Sequence, residues 1–459
     1  MDASTQPDRA QELFRDSRPR SRDAHLLEAG GMHQLFLPQG SRLFEIDPAM
    51  AGLVEADLCA SDSAALQQRL ADLELSCAPY VDDVPPQGLK VRALSLAVAQ
   101  SCNLGCSYCY ARGGDFGGAA KAMSMATARQ SVDLLLAQVT PGERVNLAFL
   151  GGEPLANREV LHDATRYAAA EAERMRIPLT FSITTNGTLV RTADIDLFER
   201  HRFAVTISLD GPQETHDRLR PFKRGAGSHA RIMANISPML ARQRDMQVSA
   251  RVTVTPRNLD LLTTLDSFVA LGFHSVGFSP MLSAPEHADE MQHGDLALML
   301  EQMVACGEEF VRQTLARRRY PFANLLNALH EIHKGTHRPY PCGAGGGYFA
   351  VSADGALSAC HRFVGDDSGD MGDLASGVDL YKQTRWLAER HVHKQEPCND
   401  CWVRYLCGGS CHHEAIHRGR PACDFIRGWL HYCLTVYGRL SLARPDMFEQ
   451  AQATGLQEA

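Results

Sequence analysis

VRALSLAVAQSCNLGCSYCYA, residues 91–111, sets a short apolar run directly against three closely spaced cysteines. Arg92–Ala99 reads as a buried strand, because it is short, apolar and broken by the polar pair Gln100-Ser101. Cys102, Cys106 and Cys109 follow at once, spaced C-x3-C-x2-C. Thiolates suit iron–sulfur clusters, and such close spacing lets one loop wrap a single cube. Most cubane clusters take four cysteines. Three leave one iron without a protein ligand, an open position of the kind catalytic metals keep. On the thiols alone, a zinc knuckle lacking its fourth ligand is the competing reading.

Outward from this strand the same texture repeats. Strands are predicted at Val145–Leu150, Leu179–Thr184, Ala204–Leu209, Val248–Val254 and Ser275–Ser279. Helices are predicted between them at Ala126–Gln138, Glu159–Arg174, Ala193–His201, His229–Gln243 and Asp260–Leu271. Short apolar strands separated by helices imply an α/β fold with a parallel sheet of βαβ units. Six repeats predict a partial (β/α)6 TIM-like barrel, in which chemistry belongs on the loops after strand C-termini. The candidate motifs obey that rule. Gly151-Gly152-Glu153-Pro154 follows the second strand, Thr184-Thr185-Asn186-Gly187-Thr188 ends the third and Ser208-Leu209-Asp210-Gly211 the fourth, while Arg251 lies on the fifth. Taken singly, each of these segments also reads as ordinary turn chemistry, and Arg251 as a barrel salt bridge.

With Tyr108 as the aromatic before the last cysteine, the loop resembles the CxxxCxΦC signature of the radical SAM superfamily, and the resemblance runs from about Val91 to Pro280. It implies a [4Fe–4S] cluster on Cys102, Cys106 and Cys109 whose open iron binds S-adenosylmethionine. Reductive cleavage of that cofactor then yields a radical that abstracts hydrogen from an unreactive C–H bond. It also implies that Gly151, Gly152 and Glu153 hold the methionyl amine. Thr184, Asn186 and Ser208 are then ribose and methionine contacts, and Arg251 a partner for the cofactor carboxylate.

Beyond Pro341 the sequence turns Gly- and Cys-rich, with little periodicity, as in segments that fold around metal. Cys342, Cys360, Cys398, Cys401, Cys407, Cys411, Cys423 and Cys433 resemble the SPASM extension of radical SAM proteins, which carries two auxiliary [4Fe–4S] clusters. The resemblance assigns Cys342, Cys360 and Cys411 to the first and Cys398, Cys401, Cys407 and Cys423 to the second, for three clusters in all. Structural zinc on Cys398, Cys401, Cys407 and Cys411 is the alternative. For the first cluster, the extra cysteine found in sulfatase-maturating members is missing. Cys433 is the expected substitute, the other possibility being an iron open to substrate. Where those members carry Asp after the second cysteine, this chain has His361, suited either to proton transfer or to hydrogen-bonding a cluster sulfur. Cys59, Cys77 and Cys306 fit no pattern.

The rest bounds the context. Formal charge is −8, which argues against a nucleic-acid-binding surface. No run approaches the length of a membrane span and no export signal opens the chain, so the expected location is cytoplasmic. Residues 1–23 read as disordered. A hairpin at His33–Leu37 and Arg42–Ile46 and helices from Pro48 and over Ser63–Leu75 follow, ending in a linker at Pro79–Gly88. The predicted division is a peptide-docking domain over 1–85, the barrel over 86–283, a helical connector over 284–340 and a SPASM domain over 341–459. CGAGGGYFAVSADGALSACHRFVGD, residues 342–366, resembles maturases that form thioether crosslinks, such as those serving quinohemoprotein amine dehydrogenase. The implied partners are a leader-bearing peptide substrate and an external one-electron reductant of the flavodoxin or ferredoxin type. Formylglycine formation in a sulfatase is the alternative reaction. An iron–sulfur electron carrier or peptide-binding scaffold is the alternative of a different class, though neither has use for a cofactor clamp such as GGEP.

Overall fold

The computed structural model describes residues 9–29, 31–60, 63–76, 78–284 and 287–449. It divides into two units whose segments interleave along the chain. One comprises 1–85, 292–342 and 388–459, and the other 86–291 and 343–387. The stretch expected as one SPASM domain, 341–459, is therefore shared between them.

In the first unit the expected hairpin is present as β2 (Met32–Leu37) and β3 (Arg42–Ile46), antiparallel with Phe36 opposite Leu43. An unforeseen strand, β1 (His25–Ala29), pairs antiparallel with β2. The helices Pro48–Ala60 and Ser63–Asp72 lay Val54, Leu58, Leu66 and Leu70 on Leu35 and Leu37 to close a small core. Asp47 caps the first of them, accepting from the Met50 N–H at 2.8 Å.

The expectation of disorder over residues 1–23 is corrected from residue 9 onward, the first eight lying outside the described residues. Arg9–Asp16 is a helix, and its Phe14 is buried against the long helix Cys423–Ala443 near Gly428. Eight residues with three apolar side chains do not hold a helix in water. The partner that stabilises this one lies some four hundred residues away, beyond the reach of local pattern. Ser17 O accepts from Trp402 Nε1 at 2.8 Å, and the His25 ring stacks on Trp402 with centroids 3.7 Å apart. The connector is helical as expected, over His293–Leu315 and Ala323–His333.

The second unit carries the parallel sheet. Its strands are β4 (Ala93–Gln100), the short β5 (Lys121–Ala122), β6 (Val145–Gly151), β7 (Leu179–Thr185), β8 (Ala204–Ser208), β9 (Gln247–Val254) and β10 (Ser275–Pro280). The order β10-β9-β8-β7-β6-β4 is parallel throughout, each predicted strand being found within two residues of its expected ends. Four short strands from the Gly- and Cys-rich region continue it: β11 (Tyr348–Val351), parallel to β4, then β12 (Ala356–Ser358), β13 (Asp370–Asp373) and β14 (Gly377–Val378). Four residues of YFAV give no usable periodicity, so β11 owes its order to the open edge of β4.

Burial along β7, β8 and β9 alternates and fixes the working face. Phe181, Ile183, Val205, Ile207, Val248, Ala250 and Val252 are buried on one side. Thr184, Thr206, Ser208, Ser249 and Arg251 share the other, less covered side. The register sets Thr184 beside Thr206 and Ser208 beside Arg251.

Candidate active site and cysteine cavity

The three-cysteine loop starts two residues after β4, at the C-terminal end of the sheet. Cys102, Cys106 and Cys109 are half-buried, and burial pushes the Cys106 thiol up to about 12 and the Cys102 thiol up as well. Crowded thiols so hard to ionise become good ligands only where a bound cation supplies opposing charge, which is the setting an iron cluster provides. Donors are already turned on Cys102. Its Sγ accepts from the Leu104 N–H at 3.4 Å and from Asn186 Nδ2 at 3.7 Å.

The GGEP segment is locked to the same loop. A Cβ on Gly151 would stand 2.3 Å from Ala99 O and one on Gly152 2.3 Å from Ser101 O, so both positions exclude any side chain. Glu153 is wholly buried, and burial raises its pKa. Its carboxylate accepts from Leu155 N–H at 3.0 Å, Thr185 Oγ1 at 2.7 Å and Asn186 N–H at 2.8 Å. Asn186 Oδ1 in turn accepts from Thr188 N–H at 2.9 Å, and its Nδ2 also donates to Asn103 Oδ1 at 3.0 Å. Cys102, Glu153 and Asn186 thus belong to one hydrogen-bonded assembly. Thr184, Ser208 and Arg251 stand apart from it on the open face of the sheet. Water reaches Arg251, yet protein rings it closely enough for burial to lower its pKa, as in a cleft.

Tyr108 faces a network that sequence reasoning did not single out. Its hydroxyl donates to Asp210 Oδ2 and accepts from Arg220 Nη1 at 2.6 Å, and all three groups are buried. The Asp210 N–H donates to His216 Nδ1 at 3.2 Å, His216 Nε2 pairs with Ser228 Oγ at 3.0 Å, and Ser228 Oγ donates to Arg220 O at 2.6 Å. Asp210 belongs to the Ser208-Leu209-Asp210-Gly211 segment after the fourth expected strand, which taken alone also reads as turn chemistry. Arg220 and His216 lie in or just beyond a helix, Gln213–Leu219, too short to show a period.

His361 belongs to the same unit. Its Nδ1 lies 3.0 Å from the Tyr348 hydroxyl, itself 2.8 Å from Ser95 Oγ. Burial, then Arg362 and Arg251, lowers its pKa to about 4, so the ring is neutral. Tyr110 stands beside it, ring centroids 5.8 Å apart.

In the first unit Cys398, Cys401, Cys407 and Cys423 line one cavity together with Arg404, Arg420 and Arg427. These are the four cysteines the SPASM spacing groups, and Cys411 does not line it. Cys433 sits ten residues beyond Cys423 on the same helix, wholly buried, and burial alone pushes its thiol well up. Cys342 is exposed and Cys411 half-buried in this unit, while Cys360 is buried in the other. Cys59 is exposed, Cys306 is buried in the His293–Leu315 helix, and Cys77 lies outside the described residues.

Comparison with known proteins agrees with this geometry. Residues 96–260 match the model of the radical SAM superfamily. The chain is 25% identical to the serine-type anaerobic sulfatase-maturating enzyme of Klebsiella aerogenes over 71% of its own length and 81% of that protein. With the Bacteroides thetaiotaomicron enzyme of the same name it is 22% identical, over 79% and 93%. The solved structure of native anSMEcpe with bound AdoMet and Cp18Cys peptide superposes with a TM-score of 0.62 at 18% identity, covering 78% of this chain and 99% of that one. Streptococcus suis SuiB bound to precursor peptide SuiA gives 0.50 at 14% identity, covering 87% and 97%. No helix among the described residues is long and apolar enough to cross a membrane. A three-cysteine loop at the C-terminal end of a parallel sheet, a GGEP segment bonded to it and the family match over that sheet lead to one assignment: the chain is an enzyme that carries a radical SAM domain over residues 96–260.

Proposed function

We propose that this enzyme modifies a gene-encoded peptide or protein, joining a Cys sulfur to a carbon of another residue. Cys102, Cys106 and Cys109 would hold the [4Fe–4S] cluster, with Gly151, Gly152, Glu153, Thr184, Asn186, Ser208, Arg251 and Tyr108 around S-adenosylmethionine. Bound there, cluster and cofactor supply a carbon radical that removes a hydrogen atom from the substrate. The protein's own part is to position and to move protons. His361, neutral and tied through Nδ1 to Tyr348, keeps Nε2 for the substrate thiol.

That histidine carries the reading, because the resemblance places an Asp there in enzymes that make formylglycine. Support for a peptide substrate comes from similar proteins: anSMEcpe is solved with a Cp18Cys peptide and SuiB with its precursor peptide. The SPASM resemblance assigns two auxiliary clusters, Cys342, Cys360 and Cys411 to one and Cys398, Cys401, Cys407 and Cys423 to the other. They would take up the electron left when the sulfur–carbon bond closes and the thiol proton departs, and an external one-electron reductant would supply the electron that cleaves the cofactor. A substrate leader is assigned to the β1–β3 sheet, whose outer strands each have one edge without a strand partner among the described residues.

Formylglycine formation is the second reading, favoured by the names of the similar maturases from Klebsiella and Bacteroides. The product separates the two. Incubation of reconstituted enzyme, S-adenosylmethionine and a reductant with Cys-containing peptides encoded beside the gene should remove two hydrogens and leave the thiol unreactive to alkylation. An aldehyde that reacts with hydrazide would instead establish the second reading.

A further inference from the structure

All three arginines lining the cavity of Cys398, Cys401, Cys407 and Cys423 meet protein oxygens, but among the described residues Arg427 alone of the three leaves a buried N–H without one. Arg420 donates through Nη1 to Gly409 O, through Nη2 to Gln395 Oε1 and through Nε to Glu396 O at 3.3 Å. Arg404 donates to the carbonyls of Arg22 and Cys401. Arg427 is different. Its side chain is only 13% exposed, its Nη2 donates to Asp424 Oδ1, and its Nε–H is buried with no acceptor among the described residues. Arg427 lies four residues after Cys423 in the Cys423–Ala443 helix, so both side chains leave the same face one turn apart.

A buried guanidinium N–H without an acceptor calls for a partner that the protein alone does not supply. Cluster and cysteine sulfurs accept such hydrogen bonds, and they would stand in the cavity this side chain lines. A cube with four thiolate ligands is net negative in both redox states and more so when reduced. A cation and an N–H donor beside it therefore stabilise the reduced form.

We propose that Arg427 is a positioning residue for the auxiliary cluster of Cys398, Cys401, Cys407 and Cys423, donating its Nε–H to a cluster sulfur and raising that cluster's reduction potential. The inference rests on the reading that these four cysteines hold an iron cluster. Its consequence is an order among the clusters: the one beside Arg427 accepts an electron more readily than it would unaided.

The test is a redox titration of the full-length, anaerobically reconstituted protein, followed by electron paramagnetic resonance. Arg427→Met should shift the reduction equilibrium of one cluster at least tenfold toward the oxidised form, about 59 mV for a one-electron couple. The signal lost in a Cys102→Ala, Cys106→Ala, Cys109→Ala variant should keep its potential. Arg427→Lys, which retains charge but not the fork, should fall between. An unchanged potential in Arg427→Met with its iron retained overturns the inference. If that variant loses iron, Arg427→Gln is judged by the same criterion. Failure of the underlying reading looks different: Cys401→Ala with Cys423→Ala would then remove no iron, or the purified protein would hold zinc there.

Discussion

The backbone N–H of Asn186 donates to Glu153 Oε2 at 2.8 Å, so the loop after β7 hangs from the loop after β6. Glu153 consequently ties two loops together, whatever it contributes to the proposed cofactor site. Its two oxygens take three protein donors in a site without solvent access.

Glu153→Gln sets an amide NH2 against those donors, and at least one is left without an acceptor. The cost is about 1–3 kcal/mol. Both thermal stability and S-adenosylmethionine affinity should fall, the latter by roughly ten- to a hundred-fold at 1.4 kcal/mol per decade. Iron content should not change, because the cysteines lie on another loop. Equilibrium dialysis with labelled cofactor and a melting curve decide it, and an unaltered pair of values would demote the segment to a turn.

His216 provides a pH test. Burial first, then Arg220 and His229, lowers its pKa to about 2, against about 6.5 in an unfolded chain. The unfolded state therefore binds a proton that the folded state refuses. Stability from this residue is complete above about pH 6.5 and is lost as pH falls from there toward 2, at up to about 1.4 kcal/mol per pH unit. His216→Gln keeps an acceptor for the Asp210 N–H and a donor for Ser228. Denaturant unfolding at pH 7 and pH 5 should show a shallower acid dependence in the variant, and parallel pH dependences would show that His216 does not titrate on unfolding.

Much of this was legible from sequence, because the signals are local. Ala93–Gln100 announces a buried strand, and Cys102 to Cys109 follow it within one loop. The SPASM resemblance groups Cys398, Cys401, Cys407 and Cys423, the four that line one cavity, whereas their spacing alone offers Cys411 in place of Cys423. What escaped depends on distant partners. The Arg9–Asp16 helix needs Cys423–Ala443, β11 needs the edge of β4, and Arg220 needs Tyr108, 112 residues earlier in the chain. None of these leaves a period or a cap in its own neighbourhood.

The first of them changes what truncation should do. A docking domain over residues 1–85 invites removal, yet Ser17 and His25 hold Trp402, the neighbour of Cys401. His25 also meets His431 across 2.9 Å in the same buried patch. If Cys398, Cys401, Cys407 and Cys423 hold a cluster as proposed, deleting 1–85 should uncover that apolar surface and release its iron, while iron bound by the Cys102 loop remains. Iron analysis before and after gel filtration reads this directly. A truncated protein with its full iron would mean that the unit closes without its first segment.

Cys433 decides between two mechanisms. The SPASM resemblance, with the extra maturase cysteine missing, makes it the expected fourth ligand of the first auxiliary cluster, with Cys342, Cys360 and Cys411. The structure sets it in the core of Cys423–Ala443, with no exposed surface and no effect on its thiol beyond burial. Ten residues of helix put it about 15 Å along the axis from Cys423, by the 1.5 Å rise per residue. Cys433→Ala should therefore leave iron content and cluster spectra as in the wild type. Its cost should be confined to stability, about 1 kcal/mol for a small core truncation. Were the first auxiliary cluster left with three cysteines, its open iron would offer a substrate thiol a site that lowers its pKa and fixes its position. Adding a Cys-containing peptide should then shift the spectrum of wild type and variant alike, and the same peptide with Ser in place of Cys should shift neither. A spectrum altered by Cys433→Ala before any peptide is added would return this cysteine to the ligand set. The cluster would then be confined to electron transfer, because a saturated iron offers the substrate sulfur no site.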